Sequence, residues 1–371
     1  MSNIKNIDSR IIIDVTERIE RLIMDARTRV ARVVNISEVV TRYEVGRVIF
    51  EVVQDGEERA TYGKQLLKGV SEILTDHLGE GWSAETLRRC RKFFYLYSAK
   101  EISTTTLTKS PNSNFHNSVD QIQNLTDNAK ESTEKYPFSL SWSHYLVLMR
   151  IESDDERNFY EIEAKEQNWS VRQLQRQYNS SLYERLALSK DKDSIMRLAQ
   201  EGQTINKPED IIKNPLTLEF LGLKPDVSYS ETKLENAIID KLRQFLLELG
   251  KGFLFEARQK RFTFEEENFY VDLVFYNRLL QCYVLIDLKI DKLAHQDLGQ
   301  MQMYVNYYDR YIKQDFEKPT IGILLCKEKK DALVELTLPK DSNIYAQQYA
   351  LYLPDKQLLQ SKLREWIDEQ E

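Results

Sequence analysis

The pattern of hydrophobic and polar positions divides the chain into a helical first part and a mixed last part. Apolar residues recur at helical spacing through Ile11–Val34 and Ile36–Val53, and after a polar break through Ala60–His77. Apolar positions three and four residues apart lie on one face of a helix, so these segments predict amphipathic helices. A further helix is predicted to begin after Ser83 as its N-cap. Residues 1–100 are therefore predicted to form an all-helical region.

Polar composition separates this region from the next helical one. Residues 101–136 are rich in asparagine, serine and threonine, and they carry too little apolar surface to offset the entropy of ordering. We therefore predict a flexible polar insertion there. Helical spacing returns after Ser141, and residues 137–190 are predicted to add a second helical hairpin to the same N-terminal domain. Residues 191–230 contain three prolines and are predicted to be a connector.

The last section, residues 231–371, alternates between short apolar runs and helical periods. The predicted elements are a helix at Thr232–Leu249, strands at Phe253–Phe264, Asn268–Tyr276 and Cys282–Ile290, a helix at Leu293–Ile312, a buried strand at Thr320–Cys326, a short helix after Asp331, a strand near Ile344–Leu353 and a helix from Pro354. Three strands in succession argue against a doubly wound sheet and predict an α/β domain with a mixed central sheet. The chain is thus predicted to be a multidomain protein of α+β and α/β type.

Composition places the chain among soluble globular proteins, with 42% hydrophobic and 30% charged residues. There is no apolar run long enough for a membrane span and no signal peptide, so no membrane partner is expected. The three cysteines lie far apart, which argues against disulfides and predicts a cytoplasmic protein. A Gly-rich phosphate loop is also absent from the sequence, so no nucleotide cofactor is expected.

The net charge of −7 argues against a nucleic-acid partner, because phosphate binding usually leaves a basic footprint. The charge is unevenly distributed, however. Residues 1–100 carry 17 basic against 15 acidic side chains, and the excess of acid lies in the remainder. The first part of the chain therefore stays compatible with DNA as a partner.

Acidic residues stand in two of the apolar strand-like runs. Asp272 lies in one run, and Asp287 and Lys289 lie in the next. Side chains two apart share a strand face, and a hairpin between the runs could bring all three together. Such charges are costly in an apolar sheet, but two carboxylates can hold Mg²⁺ and a lysine can orient or deprotonate water for phosphodiester cleavage. The alternative is a simple salt bridge between Asp287 and Lys289, with Asp272 unrelated.

Two helices carry further candidates. Gln300 and Tyr304 are four residues apart and flank the apolar stripe of their predicted helix. Glu235, on the helix that opens the last section, is placed to reach the same site and to add a third carboxylate to the metal ligands. A lone glutamate on a helix is more often a solvated residue, and that alternative stays open.

These residues, in the order α-β-β-β-α-β, resemble the PD-(D/E)XK nuclease superfamily. The characteristic motifs of the helical part are Arg59-Ala60-x-Tyr62-Gly63-Lys64, Leu140–Tyr145 and Asn168-Trp169-Ser170, and those of the last part are Asp272–Tyr276 and Tyr352–Asp355. Through these motifs the whole chain resembles the YhcG-type bacterial proteins, which join a helical N-terminal domain to such a nuclease domain. The resemblance implies a restriction-endonuclease-like fold, metal ligation by Asp272 and Asp287, and a water-orienting Lys289. It implies that Gln300 and Tyr304 support the site or contact the DNA backbone. The superfamily usually has glutamate where Asp287 stands, and proline before the first aspartate, where this chain has valine.

A repeat occurs in the helical part. Trp82-Ser83-x-x-x-Leu87-x-Arg89 matches Trp169-Ser170-x-x-x-Leu174-x-Arg176. In each copy the tryptophan is predicted to anchor a turn, the serine to cap the next helix and the leucine to face inward, as in a helix-turn-helix. The predicted DNA contacts are the basic residues of the two helices: Arg88, Arg89, Arg91, Lys92, Arg172 and Arg176. The alternative is a hairpin repeated for packing, with solvated charges.

Together these patterns predict a metal-dependent DNA endonuclease, with Mg²⁺ as its cofactor and Mn²⁺ as a substitute. DNA is the expected partner, and homo-oligomerisation is left open. One alternative is a catalytically silent DNA-binding regulatory protein, although it would not need all three of Asp272, Asp287 and Lys289. Another is a nuclease directed at RNA.

Overall fold

The computed structural model describes residues 9–54, 59–104, 136, 138–188, 192–224, 229–329, 331–339 and 342–369. The chain divides into two compact units, Met1–Glu152 and Ser153–Glu371. Of the predicted polar insertion at 101–136, residues 105–135 lie outside the described ranges.

The described residues of the first unit form four helices: α1 (Ser9–Gln54), α2 (Arg59–Leu78), α3 (Ala84–Thr104) and α4 (Trp142–Leu148). The two apolar periods predicted at its start form one continuous helix of 46 residues. Ser83 caps α3 as predicted, because its Oγ accepts a hydrogen bond of 3.2 Å from Thr86 N. Aromatic rings make up much of the core, and Tyr43, Phe93 and Tyr145 are almost fully buried.

The second unit begins with helices and continues into a sheet. The first helices are α5 (Asp154–Glu166), α6 (Val171–Asn179), α7 (Leu182–Ala187) and α8 (Lys192–Glu201). They are followed by β1 (Leu216–Thr217), α9 (Glu231–Asp240), α10 (Leu242–Leu249), β2 (Phe253–Phe264), β3 (Glu267–Asn277), β4 (Cys282–Lys292), α11 (His295–Tyr311), β5 (Ile321–Glu328), α12 (Asp331–Thr337), β6 (Ile344–Ala350) and α13 (Lys356–Glu369). The predicted order of strands and helices in the last section is confirmed.

The six strands form one mixed sheet in the order β1-β6-β5-β4-β3-β2. β2, β3 and β4 are antiparallel neighbours, and β4, β5, β6 and β1 run parallel. Alternate strand residues face opposite sides: Ile286 belongs to the core shared with α9 and α10, and Leu285 to the core shared with α11. The predicted mixed central sheet is therefore confirmed.

The structure divides the chain differently from the sequence-based prediction. β1 precedes residue 231, yet Leu216 pairs with Tyr349 of β6, so the sheet draws on the predicted connector. The helices from Ser153 onward belong to the same unit as the sheet and not to the N-terminal one. The predicted helix at Thr232–Leu249 is also broken at Lys241, between α9 and α10.

A buried ion cluster explains why α6 and α7 belong with the sheet. The side chain of Glu248 on α10 is fully buried, and its Oε1 lies 2.6 Å from Arg185 Nη1 of α7. Arg176 of α6 donates to the other oxygen, and Thr217 N of β1 donates to Oε1 at 2.9 Å. Burial alone would raise the pKa of Glu248, but Arg185, Arg176 and Lys213 hold it at about 2. We call these five residues the Glu248 cluster.

Two sequence-based expectations concern the whole chain. The helices in the described ranges include none with the length and hydropathy needed to cross a bilayer. Cys90, Cys282 and Cys326 are buried free thiols, in agreement with the predicted absence of disulfides.

Candidate active site

The acidic residues of β3 and β4 come together as the hairpin prediction required. Leu273 pairs with Ile286, which places Asp272 beside Asp287 on the neighbouring strand. Asp272 Oδ2 accepts a hydrogen bond of 2.8 Å from the backbone N of Leu288. Two carboxylates therefore lie side by side in an otherwise apolar part of the sheet.

Asp287 is the most perturbed of these groups. Its side chain is buried, and burial together with the carboxylate of Asp272 raises the pKa of Asp287 to about 7. Lys289 Nζ lies 2.8 Å from Asp287 Oδ2 and opposes that rise. Apart from this contact with Lys289, Oδ2 has no hydrogen-bond partner within the described part of the chain. Such a buried carboxylate would be stabilised by a further cation.

Lys289 stands among three carboxylates. Besides Asp287, its Nζ lies 3.9 Å from Asp297 Oδ1 and 4.0 Å from Glu231 Oε1. Partial burial lowers the pKa of Lys289, but attraction to the carboxylates outweighs it and the net shift is upward. The ammonium form of the lysine is therefore favoured at neutral pH. Sequence reasoning missed Asp297 and Glu231, which belong to helices and adjoin the lysine only after folding.

Glu235 reaches the site through another side chain. It is 4% exposed, one of its oxygens accepts from Arg258 Nε, and the other accepts from Gln259 Nε2 at 2.7 Å. Gln259 Nε2 also donates to Asp272 Oδ1 at 2.8 Å. One amide group thus uses both of its hydrogens to hold two carboxylates together. Gln259 was not identified from the sequence.

The backbone of Gln259 supports a specialised role. Gln259 has φ 46° in the middle of β2, and the strand is irregular between Phe255 and Ala257. Non-glycine residues rarely adopt this left-handed conformation, and such strain is concentrated at functional sites. The conformation places the amide of Gln259 between Glu235 and Asp272.

Gln300 and Tyr304 meet on α11, as their spacing predicted. Gln300 Nε2 donates to the hydroxyl of Tyr304, whose ring is 1% exposed. Burial raises the pKa of Tyr304, and the nearby charges of Asp287 and Asp272 add to the rise. The pair therefore lies on the side of the sheet that Asp287 faces.

The donor set fits a hard divalent cation. The described ranges contain no group of three His, Cys, Asp or Glu residues arranged to hold a metal ion. Mg²⁺ does not need one, since it keeps several waters and usually binds through one or two carboxylates together with substrate phosphates. Asp272 and Asp287 would supply those two carboxylates, and apart from Lys289 the buried Oδ2 of Asp287 has no hydrogen-bond partner within the described residues.

Replacing Gln259 with glycine tests its role. Glycine accepts a positive φ without strain, so Gln259→Gly removes the amide while preserving the backbone. Under the metal-dependent cleavage that the sequence predicts, we expect the rate at limiting metal to fall by about 10- to 100-fold, the usual effect of removing a group that orients metal ligands. Thermal unfolding must show that the variant still folds, because the relief of backbone strain is opposed by the loss of two hydrogen bonds to carboxylates.

Gln281→Gly is the matched control, because Gln281 is exposed and has φ 55° in the turn between β3 and β4. This variant should cleave like the unchanged protein. Equal rates in both variants would show that the amide of Gln259 does not organise the site.

The basic residues predicted on α3 differ in their surroundings. Arg88 and Arg89 both pair with Glu85, at 2.5 and 3.1 Å. Arg91 and Lys92 form no ion pair with any residue in the described ranges, and with Arg88 and the exposed ring of Tyr95 they line a cavity of about 450 Å³. A cavity lined by cations and aromatic rings suits a phosphate chain with its bases.

The second copy of the repeat has the predicted N-cap, but one of its two predicted DNA-contacting arginines is engaged inside the protein. Ser170 and Gln173 form a capping box, and Leu174 is fully buried as expected. Arg176, however, is held by Glu248 and by Glu219, whose Oε1 lies 2.9 Å from Arg176 Nε. Its guanidinium is therefore occupied within the Glu248 cluster, and the structure does not offer it to DNA. Arg172 is exposed.

Comparison with known proteins divides the chain into two family segments. Residues 209–364 match the YhcG PDDEXK nuclease domain, and residues 18–185 match the DUF1016 N-terminal domain. The chain is 37% identical over 358 residues to the "Putative nuclease YhcG" of Escherichia coli (strain K12), an alignment covering 94% of this chain and 92% of that protein.

Two solved structures are similar to part of the chain. A repair endonuclease from Pyrococcus abyssi matches 36% of this chain and 50% of its own, with 18% identity and a TM-score of 0.23. A structure described as an EndoMS-dsDNA2 complex matches 36% of this chain and 49% of its own, with 16% identity and a TM-score of 0.24. The chain thus spans about half the length of each.

Proposed function

Since this chain belongs to the YhcG family of PDDEXK nucleases, we propose that it is a metal-dependent endonuclease that hydrolyses phosphodiester bonds in DNA. The observation that carries this proposal is the buried Asp287, adjacent to Asp272 and paired with Lys289 in an apolar sheet. A carboxylate with its pKa raised to about 7 by burial is costly to maintain, and such groups are typical of functional sites.

In this proposal Asp272 and Asp287 hold Mg²⁺, for which Mn²⁺ is a substitute. A divalent cation bound there would neutralise charge that develops on the scissile phosphate and would acidify a bound water. Asp272 is kept in place by the backbone N of Leu288 and by Gln259. Asp272 is therefore held in position before the substrate arrives.

Lys289 orients the attacking water and stabilises negative charge on the phosphate. Of the two roles considered from sequence, orienting or deprotonating the water, the raised pKa of Lys289 favours the first. A lysine that stays protonated donates hydrogen bonds but cannot accept the proton of water. Asp297 and Glu231 help to keep it charged.

The remaining residues support this arrangement. Both oxygens of Glu235 are engaged by Arg258 and Gln259, so we assign it to positioning Asp272 and not to binding the metal directly. Gln300 and Tyr304 form a hydrogen-bonded pair beside Asp287, where they support the site or contact the DNA backbone.

We further propose that α3 binds the DNA backbone, mainly through Arg91 and Lys92. Replacing both with alanine should weaken DNA binding and flatten its salt dependence, since each lost phosphate contact changes the slope of log K against log salt by about 0.9. Fluorescence anisotropy across a salt series measures this slope. We expect a change of about 2 for the double variant.

Lys68→Ala is a suitable control, because Lys68 is an exposed cation on the neighbouring helix α2. Cleavage by the double variant at saturating DNA should be unchanged, because the proposed chemistry lies in the other unit. Unaltered salt slopes in the double variant would exclude α3 as the DNA contact.

The function is tested by incubating the protein with plasmid DNA, branched DNA and RNA, each with Mg²⁺, Mn²⁺ or chelator. Metal-dependent cleavage of DNA, lost with chelator, is the expected result. Binding of DNA with no cleavage under any metal would favour the silent regulatory protein. Cleavage of RNA alone would reassign the substrate.

A further inference from the structure

A cleft lies beside the candidate active site, between α11 and the end of β2. Its residues on α11, from Gly299 to Tyr311, recur at intervals of three and four, so they form one face of the helix. Phe262 and Phe264 of β2 form the opposite wall, and the cavity has a volume of about 330 Å³. We call it the α11 cleft. It borders the buried stripe by which α11 packs on the sheet, because Phe262, Met303 and Tyr307 belong to both.

Aromatic rings dominate the cleft, and some are exposed. The rings of Phe262 and Tyr307 stack with centroids 4.1 Å apart, and Tyr307 contacts the ring of Tyr311 at 5.2 Å. The side chains of Tyr311 and Phe264 are 62% and 44% exposed. Exposed ring faces are stacking platforms for nucleobases of any sequence.

Polar groups at the cleft complement a nucleotide. Arg310 is exposed and forms no ion pair with the described residues, so its guanidinium can bind a phosphate. One turn away, Gln302 Nε2 donates to Asn306 Oδ1 at 3.2 Å, which leaves further amide donors and acceptors for a base edge. Rings, a cation and amides in one cleft match a nucleotide better than an apolar peptide.

The cleft shares a wall with the candidate active site. The ring of Phe262 contacts the ring of Tyr304 edge-on at 5.6 Å, and Tyr304 accepts the hydrogen bond of Gln300. The cleft therefore adjoins the residue pair that lies beside Asp287. Bases inside a duplex have both faces covered by their neighbours, so only an unpaired base can stack on these rings.

We infer that the α11 cleft binds an unpaired nucleotide of the DNA strand, with its base on Tyr311 and Phe264 and its phosphate at Arg310. This inference rests on the proposed function and adds a substrate class to it: DNA with a single-stranded tail, a flap or an unpaired base next to the point of cleavage.

The test is a binding measurement that needs no catalysis. The full-length protein is titrated in chelator against a fully paired duplex and against the same duplex with a single-stranded tail that contains 2-aminopurine. Stacking quenches 2-aminopurine, so quenching is expected with the tailed DNA. Tyr311→Ala should abolish the quenching and weaken binding of the tailed DNA about tenfold, with the paired duplex unaffected. Tyr352→Ala is the matched control, because Tyr352 is 61% exposed outside the cleft.

A second pair of variants, at Gly299, tests the cleft without removing a ring. A Cβ at Gly299 would meet no atom within 4 Å, so a side chain fits there without strain on its neighbours. Gly299→Leu should fill the cleft and reproduce the loss of Tyr311→Ala. Gly299→Ala, which is too small to block it, should bind tailed DNA normally.

Three results would overturn the inference. The Tyr311→Ala variant could bind the tailed DNA as tightly as the unchanged protein does. It could instead lose affinity equally for both DNAs, which would indicate nonspecific binding of the DNA backbone. The variant could also differ from the unchanged protein only in its oligomeric state, measured as molar mass by sedimentation, which would make the cleft an interface between copies of the chain. None of these outcomes affects the cleavage proposal, which fails instead if Asp287→Asn still cleaves DNA.

Discussion

Replacement of Asp287 with asparagine should lower the rate of DNA cleavage by about a thousandfold or more. The substitution keeps the size of the side chain and removes the charge that would attract the proposed Mg²⁺, and metal-ion catalysis commonly contributes several kcal/mol to lowering the barrier. Single-turnover cleavage of labelled DNA at saturating protein measures the effect on chemistry alone. Titration calorimetry with Mg²⁺ should show a parallel loss of metal affinity.

Asp291→Asn is the control for this experiment. Asp291 is on the same strand as Asp287 but is exposed, so its variant should cleave within about twofold of the unchanged protein, as surface substitutions usually have small effects. Asp272→Asn should match the loss seen with Asp287→Asn. Circular dichroism must show both proteins folded. A folded Asp287→Asn protein with normal activity would remove Asp287 from the proposed site.

The second large effect concerns stability. Glu248→Ala should lower the free energy of unfolding by roughly 3–5 kcal/mol, because removal of one partner leaves the buried charges of the Glu248 cluster uncompensated. Urea denaturation at neutral pH measures the change. Asp240→Asn, at an exposed carboxylate at the end of α9, should unfold like the original protein. Equal stability of Glu248→Ala and the original protein would contradict the assigned importance of the cluster.

The effect should depend on pH in a defined direction. The pKa of Glu248 is held at about 2, below its ordinary value of 4.5, so the ionised group stabilises the folded state above about pH 4.5. That contribution is lost as the pH falls from about 4.5 toward 2. The difference in unfolding free energy between Glu248→Gln and the original protein should therefore shrink over this range. A difference independent of pH would indicate packing, and not charge, as its source.

The strands of the sheet were predictable because the sequence pattern that indicates a strand lies within the strand and its adjoining turns. Apolar runs bounded by turn residues located β2, β3 and β4, and their hairpin register placed Asp272 beside Asp287. The break at Lys241 was missed because apolar spacing continues across it from α9 into α10. Sequence periodicity detects a helical face but not a kink within it.

The contacts that could not be predicted join residues that are distant in sequence. Gln259 meets Glu235 across 24 residues, and a glutamine in a strand carries no mark of such a contact. Arg176 resembles a surface residue on an exposed basic helix, but its partner Glu248 lies 72 residues later. Burial of charge is a property of the folded chain, so the sequence could suggest these residues only as candidates and could not assign their partners.

The Glu248 cluster also bears on how the two family segments can be inherited. Arg176 and Arg185 lie within the segment that matches the DUF1016 N-terminal domain, and Glu248 lies within the one that matches the nuclease domain. A recombination between relatives at the junction of the segments would separate a buried carboxylate from the arginines that neutralise it. Exchange would succeed only between parents that carry the same charges at these positions. The two segments are therefore coupled energetically across their junction, although each has a family description of its own.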